Sequence, residues 1–289
     1  MAVNTSFNKT FTIGNDLTVN RMGFGAMRIT GEGIWGPPKD KGEAIRVLQR
    51  TVELGINFID TADSYGPNVS EELIAEALYP YPKDLVIATK GGLTRTGPNV
   101  WPINADPDYL QRALEGSLER LKQDRIDLYQ LHRVDPQVPY EKTLEFLQRV
   151  QEEGLVKHIG LSEVTIDQIK KAQEYFKVVS VQNKYSVDFR TKWEEELQYC
   201  EAQDMAFIPW NPINAGNVGA IDKLTKIGKK YDASAHQIAL SWLLHHSPNI
   251  LLIPGTSKVK HLEENYKTAS ITLSEEDLQE LNNIRQSEK

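Results

Sequence analysis

Short apolar runs alternate along this chain with longer segments in which apolar residues recur at the spacing of a helix. Such alternation is typical of repeated strand and helix units whose strands form a parallel sheet. From Arg21 onward, eight runs have the length and composition of buried strands. The predicted strands are residues 22–25, 56–59, 85–89, 128–131, 158–161, 178–181, 206–209 and 250–253.

Ten segments have the apolar periodicity of amphipathic helices, and two of them follow clear N-terminal signals at 162–165 and 274–277. The predicted helices are residues 42–54, 71–78, 108–121, 141–153, 166–175, 192–201, 221–230 and 234–245, with closing helices at 262–266 and 273–285. Eight such units in 289 residues fit a closed (β/α)8 TIM barrel better than an open sheet. We predict one α/β domain covering residues 1–289, preceded by a peripheral β-hairpin formed by residues 7–13 and 17–19.

Six polar or aromatic residues directly follow predicted strands, in chain order Asp60, Lys90, His132, Ser162, Gln182 and Trp210. In a parallel barrel only the rim at the carboxyl ends of the strands is open, so all six should face one mouth. Each position alone fits a strand that simply reaches water. A buried lysine, however, needs a carboxylate partner, and such pairs are typical of functional sites.

Tyr65 follows Asp60 by five residues, so the connecting loop can return its phenol to the same rim. Beside the Lys90 ammonium, we expect the pKa of this phenol to fall from its ordinary value of about 10. Together with Asp60 and His132, this pair could then protonate a carbonyl oxygen while another group delivers hydride. A barrel aldolase with Lys90 as a Schiff base is the alternative, although pairing with Asp60 raises the lysine pKa that such a reaction needs low.

Composition limits the cellular compartment and the classes of binding partner that we expect for this chain. The chain has 33 Lys and Arg against 40 Asp and Glu, a net charge of −7 that argues against nucleic-acid binding but allows a local basic pocket. Cys200 is the only cysteine, which excludes an intrachain disulfide and a thiolate metal site and indicates a reducing, cytoplasmic setting. We find no signal-peptide or membrane-spanning run and expect no membrane partner and no metal.

Six motifs, in one order from about Gly14 to Arg285, resemble the aldo-keto reductase family. They are residues 23–28, residues 58–66 with Asp60 and Tyr65, Lys90, Leu131-His132, Gly160-Leu161-Ser162, and residues 253–257 with Glu264-Asn265. The resemblance implies a barrel that reduces a carbonyl with hydride from NADP(H). It implies that Tyr65 is the general acid, that Lys90 stabilises the phenolate, that Asp60 holds Lys90, and that His132 orients the carbonyl.

The resemblance also implies the contacts to NADP(H). They are Gly25, Ala26, Met27, Asp60, Ser162, Gln182, Trp210, Asn211, Pro212, Ile213, Gly255, Thr256, Ser257, Lys258, Lys260, His261, Glu264 and Asn265. Ser162 and Gln182 would hold the nicotinamide carboxamide and Trp210 would stack on the ring. Glu163 stands where the family has Asn, so its carboxylate would cap the next helix or accept the carboxamide N–H bonds. The stretch from Gly255 to His261 would surround the 2′-phosphate, which favours NADP over NAD.

The predicted walls of the substrate pocket are Trp35 and Trp101, although exposed loop aromatics without a ligand role fit the sequence equally. Residues 33–38, 156–162 and 253–257 resemble the bacterial and yeast branch that includes pyridoxal reductases, so pyridoxal is a candidate substrate. The chain stops soon after Arg285, which favours small aldehydes and ketones over steroids.

The family also includes NADP(H)-binding channel subunits, so a regulatory subunit with slow turnover is the alternative function. We expect a monomer rather than an oligomer.

Overall fold

A computed structural model describes residues 9–212 and 218–284. Seven parallel strands pair in chain order: β3 (Phe24–Gly25), β4 (Phe58–Asp60), β5 (Val86–Gly91), β6 (Ile126–Leu131), β7 (Val156–Ser162), β8 (Val178–Gln182) and β9 (Ala206–Phe207). They follow an antiparallel hairpin formed by β1 (Thr10–Ile13) and β2 (Leu17–Asn20). This order confirms the predicted succession of strands.

The eighth predicted strand, residues 250–253, closes the sheet through single bridges rather than a regular ladder. Ile250 bridges Phe207 on one edge, and Leu252 bridges Met22 on the other. The Leu251 N–H donates to the Phe207 carbonyl at 2.9 Å, and the Gly23 N–H donates to the Leu252 carbonyl at 2.8 Å. The curled parallel sheet with its surrounding helices is therefore the TIM-barrel-like fold that the sequence predicts.

The ten predicted helices are all found in the part of the chain that the structure describes. They are α1 (Lys41–Glu53), α2 (Val69–Leu78), α3 (Pro107–Leu121), α4 (Tyr140–Glu152), α5 (Ile166–Gln173), α6 (Glu194–Ala202), α7 (Val218–Gly228), α8 (Ala235–His246), α9 (Val259–Lys267) and α10 (Glu275–Asn282). Thr165 and Ser234 cap α5 and α8 in reciprocal capping boxes, and Ser274 caps α10. The two predicted helix starts are thus confirmed.

The N-terminal hairpin packs into the barrel instead of lying at its periphery. Its Ile13, Leu17 and Val19 are buried in one cluster with the strand residues Phe58 and Leu128. The prediction of a peripheral hairpin is wrong because one face of the hairpin is apolar and covers the N-terminal end of the strands, where it is removed from water. With that end closed, the carboxyl ends of the strands form the accessible mouth.

The main core lies between the helices and the outer face of the sheet. On α3 the buried residues Leu110, Leu114 and Leu121 face inward, and each such burial contributes roughly 1.5–3 kcal/mol.

The length and the polarity of the helices also decide whether any of them could cross a membrane. Within residues 9–212 and 218–284, none of the helices combines the length and the apolar composition needed to cross a bilayer.

Candidate active site

Three ionisable side chains meet at the carboxyl ends of adjacent strands. Asp60 is the last residue of β4, Lys90 is the next-to-last residue of β5, and His132 follows the last residue of β6. The strand register aligns Asp60 with Ala88, and it aligns Lys90 with Gln130. Alternate residues of a strand share a face, so the position two before each of these side chains also faces the barrel interior.

The Lys90 ammonium is fully buried, and three oxygen atoms surround it. Lys90 Nζ donates to Asp60 Oδ2 at 2.6 Å, to the Thr61 carbonyl at 2.8 Å and to Tyr65 Oη at 3.3 Å. An ammonium has three N–H groups, so each has an acceptor. The loop after β4 therefore brings the Tyr65 phenol into direct contact with the ion pair.

Burial and the charges of this cluster shift the pKa values of Lys90 and Tyr65. Burial lowers the pKa of Lys90, but Asp60 and Tyr65 more than offset this effect, so the Lys90 pKa lies above its ordinary value. Burial raises the pKa of Tyr65 by more than Lys90 lowers it, so the Tyr65 pKa also lies above its ordinary value. The predicted fall of the Tyr65 pKa is wrong because the side chain is only 7% exposed. Tyr65 is a neutral phenol, and Lys90 is cationic, at neutral pH.

His132 faces Tyr65 as a neutral imidazole. Burial, with smaller contributions from Lys90 and Arg133, holds the pKa of His132 well below its ordinary 6.5. The His132 and Tyr65 rings lie edge to face with their centroids 5.9 Å apart. Nδ1 of His132 has no hydrogen-bond partner among the residues described. The His132 ring and the Tyr65 phenol thus lie next to each other at this end of the barrel.

Two glutamines hold the second oxygen of Asp60. Gln130 and Gln182 donate to Asp60 Oδ1 at 3.1 Å and 2.9 Å through their Nε2 atoms. Sequence reasoning missed Gln130, although its position two residues before His132 places both on one face of β6. Gln182, which was predicted to contact the nicotinamide, orients the Asp60 carboxylate in this structure.

Trp210 follows β9, and its indole is held by Glu163. Glu163 Oε1 accepts the Trp210 Nε1–H at 2.7 Å and the Lys184 backbone N–H at 2.6 Å. Glu163 has φ 55°, a left-handed conformation that is uncommon outside glycine. Because Thr165 caps α5, the expectation that Glu163 caps that helix is wrong.

Arg133, which sequence reasoning missed, lies between the predicted catalytic and cofactor residues. Its Nη1 donates to Ser162 Oγ at 3.0 Å and to the His132 carbonyl at 2.6 Å, and its Cζ lies 5.8 Å from the centroid of the Trp210 ring. Ser162 Oγ in turn donates to the Gln182 carbonyl at 2.8 Å. The sequence signal was its place directly after His132, which brings the side chain to the same rim.

A cavity of about 650 Å³ opens beside the end of β3. Its wall includes four of the predicted cofactor residues, Gly255, Thr256, Ser257 and Lys258. It also includes two further basic residues, Arg28 and Lys39, which were not predicted as cofactor contacts, and three acidic residues, Glu32, Asp40 and Glu43. A Cβ atom on Gly25 would lie 2.5 Å from the Ile253 carbonyl oxygen, so glycine allows β3 to approach this turn closely.

The remaining predicted cofactor residues lie in three places. Ala26 and Met27 are in a 3-10 helix directly after β3. Asn211 and Pro212 follow Trp210, whereas Ile213 lies outside the described residues. The last four are in α9, namely Lys260, His261, Glu264 and Asn265. The Lys260 side chain is 83% exposed, with Nζ 3.9 Å from Glu264, and Asn265 is buried.

Arg95 ties together the loops that carry the two predicted pocket tryptophans. Its guanidinium donates to five backbone carbonyls, those of Gly33, Ile34, Ser64, Gly97 and Val100. Its Cζ lies 3.6 Å from the Trp101 ring centroid and 5.6 Å from that of Trp35. Trp101 also meets the Tyr65 ring edge to face at 6.3 Å. Trp101 therefore borders the phenol directly, and Trp35 lies farther out at 37% exposure.

Comparison with known proteins agrees with this architecture over nearly the whole chain. A model described as the Aldo/keto reductase family matches residues 21–286. An uncharacterized oxidoreductase of Schizosaccharomyces pombe is 55% identical over 278 residues, 95% of this chain and 89% of the relative. Pyridoxine 4-dehydrogenase of Escherichia coli is 42% identical over 282 residues, 95% and 98% of the two chains. The fold matches an aldo/keto reductase from Klebsiella pneumoniae in complex with NADP and acetate, with TM-score 0.80, 23% identity and coverage of 95% and 94%.

Proposed function

This chain belongs to the aldo/keto reductase family, and on that premise we propose that it is an NADP(H)-dependent oxidoreductase that reduces small aldehydes or ketones to alcohols. The observation that carries the proposal is the contact between a buried phenol and a buried, ion-paired ammonium. Tyr65 Oη lies 3.3 Å from Lys90 Nζ, and the neutral imidazole of His132 faces the phenol. This arrangement suits proton transfer to one oxygen atom.

The four residues Asp60, Tyr65, Lys90 and His132 have separate roles in that transfer. His132 donates a hydrogen bond to the carbonyl oxygen, which its neutral state permits. Tyr65 gives its phenol proton to the same oxygen, and Lys90 stabilises the phenolate that remains. Asp60 keeps Lys90 protonated and in place. Solvent then returns a proton to Tyr65. In alcohol oxidation the Tyr65 phenolate accepts the proton instead.

The chain's residues fit a phosphorylated dinucleotide with a nicotinamide ring. When bound, it supplies the hydride that reduces the carbonyl carbon. Arg28 and Lys258 bring positive charge to the cavity of about 650 Å³, and Thr256 and Ser257 bring hydroxyl donors. The indole of Trp210, fixed by Glu163, offers a flat surface for the ring. The NADP complex of the Klebsiella pneumoniae protein supports the same choice of cofactor.

Pyridoxal is the substrate that we propose to test first. The Escherichia coli relative is named for pyridoxine, the corresponding alcohol, and is 42% identical over nearly all of both chains. A planar aromatic aldehyde suits a pocket in which the Trp101 ring borders the Tyr65 phenol. Lys90 is unsuited to Schiff-base chemistry because Asp60 and Tyr65 raise its pKa.

A single-turnover experiment tests this function. Protein loaded with NADPH is mixed with pyridoxal, and loss of the NADPH absorbance is followed. The wild type should consume NADPH, and Tyr65→Phe should slow this reaction by about 10²–10⁴-fold while its Kd for NADPH stays near that of the wild type. Tyr81→Phe is the matched control, because it removes a phenol that bonds only the Leu121 carbonyl among the residues described. Tight binding without consumption of any aldehyde would instead indicate a regulatory subunit.

A further inference from the structure

Two opposite charges border the indole of Trp210. The Glu163 carboxylate bonds its Nε1–H at 2.7 Å, and the Arg133 guanidinium lies over its ring at 5.8 Å. Glu163 adopts a left-handed backbone conformation there, which is uncommon for a residue with a side chain. The fold therefore holds a carboxylate at this place against a local conformational preference.

The charges of this rim balance in two pairs. Asp60 contacts Lys90 directly at 2.6 Å, so that pair compensates itself. Arg133 bonds only neutral oxygen atoms, those of Ser162 and His132, in the described part of the chain. Burial lowers the pKa of Arg133, and the Glu163 carboxylate acts in the opposite sense. Glu163 is thus the carboxylate that offsets the Arg133 charge.

We propose that Glu163 sets which redox form of the nicotinamide this site prefers, because its carboxylate both holds the Trp210 indole and offsets Arg133. The inference rests on the proposed function, in which Trp210 stacks on the nicotinamide. The oxidised ring carries one positive charge more than the reduced ring. In a partly buried site a fixed carboxylate favours the oxidised ring, and an uncompensated guanidinium disfavours it. Glu163 therefore allows this rim, which carries the positive charges of Lys90 and Arg133, to bind NADP⁺ as well as NADPH.

Glu163→Gln separates the charge from the hydrogen bond. The amide oxygen still accepts from Trp210 Nε1 and from the Lys184 N–H, whereas the negative charge is lost. Dissociation constants for NADP⁺ and NADPH are measured by titration calorimetry on the full chain. In Glu163→Gln the Kd for NADP⁺ should rise about tenfold relative to the Kd for NADPH. Glu174→Gln, which changes an exposed carboxylate paired with Lys171, should leave both constants unchanged.

Arg133→Gln provides a second and opposite test. Removing the guanidinium should shift the ratio of the two constants toward NADP⁺, and the double variant with Glu163→Gln should return the ratio close to that of the wild type. Equal changes of both constants in Glu163→Gln, or an unchanged ratio in both single variants, would overturn the inference and leave Glu163 as an anchor for Trp210 alone. A wild type that binds neither nucleotide would refute the proposed function itself, which is a separate result.

Discussion

Asp60→Asn tests whether the buried ion pair controls the charge state of Lys90. Lys90 is fully buried, Asp60 is 2% exposed, and Nζ lies 2.6 Å from Oδ2. The amide oxygen of the variant can still accept from Gln130 and Gln182, but its NH2 group then faces Lys90, so the change removes both the negative charge and the acceptor of the ammonium. Leaving a buried charge without its partner costs about 3–5 kcal/mol. We expect the free energy of unfolding at neutral pH to fall by about 3 kcal/mol.

The pH dependence of stability distinguishes this cause from a packing defect. In the wild type the pKa of folded Lys90 is raised, so its contribution to stability is complete below its ordinary pKa of 10.5 and is lost only as the pH rises through the folded value. Without Asp60, burial dominates and lowers the folded pKa. The unfolded variant then binds more protons than the folded one, and stability rises with pH by up to about 1.4 kcal/mol per unit. Urea unfolding between about pH 6 and pH 9 measures this slope.

Two further variants control for side effects of the substitution. Asp60→Asn combined with Lys90→Met removes both charges, and it should recover part of the stability and remove the added pH slope. Glu153→Gln breaks an exposed pair with Arg149 at 3.0 Å and should cost less than about 1 kcal/mol. If Asp60→Asn unfolds with the free energy and the pH slope of the wild type, Asp60 does not hold the charge of Lys90, and the mechanism loses its basis.

Three more predictions concern the cofactor, the pocket and the imidazole. Lys258→Ala should raise the Kd for NADPH about tenfold and leave the Kd for NADH nearly unchanged, and equal effects on both would contradict the 2′-phosphate assignment. Arg95→Lys should raise the KM for aromatic aldehydes several-fold without changing the Kd for NADPH, because an ammonium cannot replace the five-donor fork. The rate of carbonyl reduction should show no step from His132 between about pH 6 and pH 8, and a step that disappears in His132→Gln would refute its neutral state.

The sequence predicts those features that depend on strand periodicity and chain order. Asp60, Lys90 and His132 could be placed on one rim because each directly follows a predicted strand and parallel strands end on one side. Arg95 could not be found in this way, since it bonds Ile34 and Ser64 from loops with no periodic relation to it. The direction of the Tyr65 pKa shift also could not be predicted from the sequence. Burial raises this pKa and Lys90 lowers it, so the direction depends on which effect is larger, and the depth of burial is known only from the structure.

Different contacts hold the catalytic candidates Asp60 and Lys90 and the loops of the predicted substrate pocket. Asp60 accepts hydrogen bonds from side chains on three other strands, so its position depends on closure of the barrel. The loops around Trp35 and Trp101 are instead joined by the Arg95 guanidinium and by backbone hydrogen bonds between loops, such as that from the Asn99 N–H to the Gly33 carbonyl at 2.9 Å. A change in those loops can therefore reshape the pocket while Lys90 and Asp60 keep their contact. Substrate range can therefore vary on this scaffold without loss of proton transfer. For this reason the name of the Escherichia coli relative selects the first aldehyde to assay, and the assay identifies the substrate.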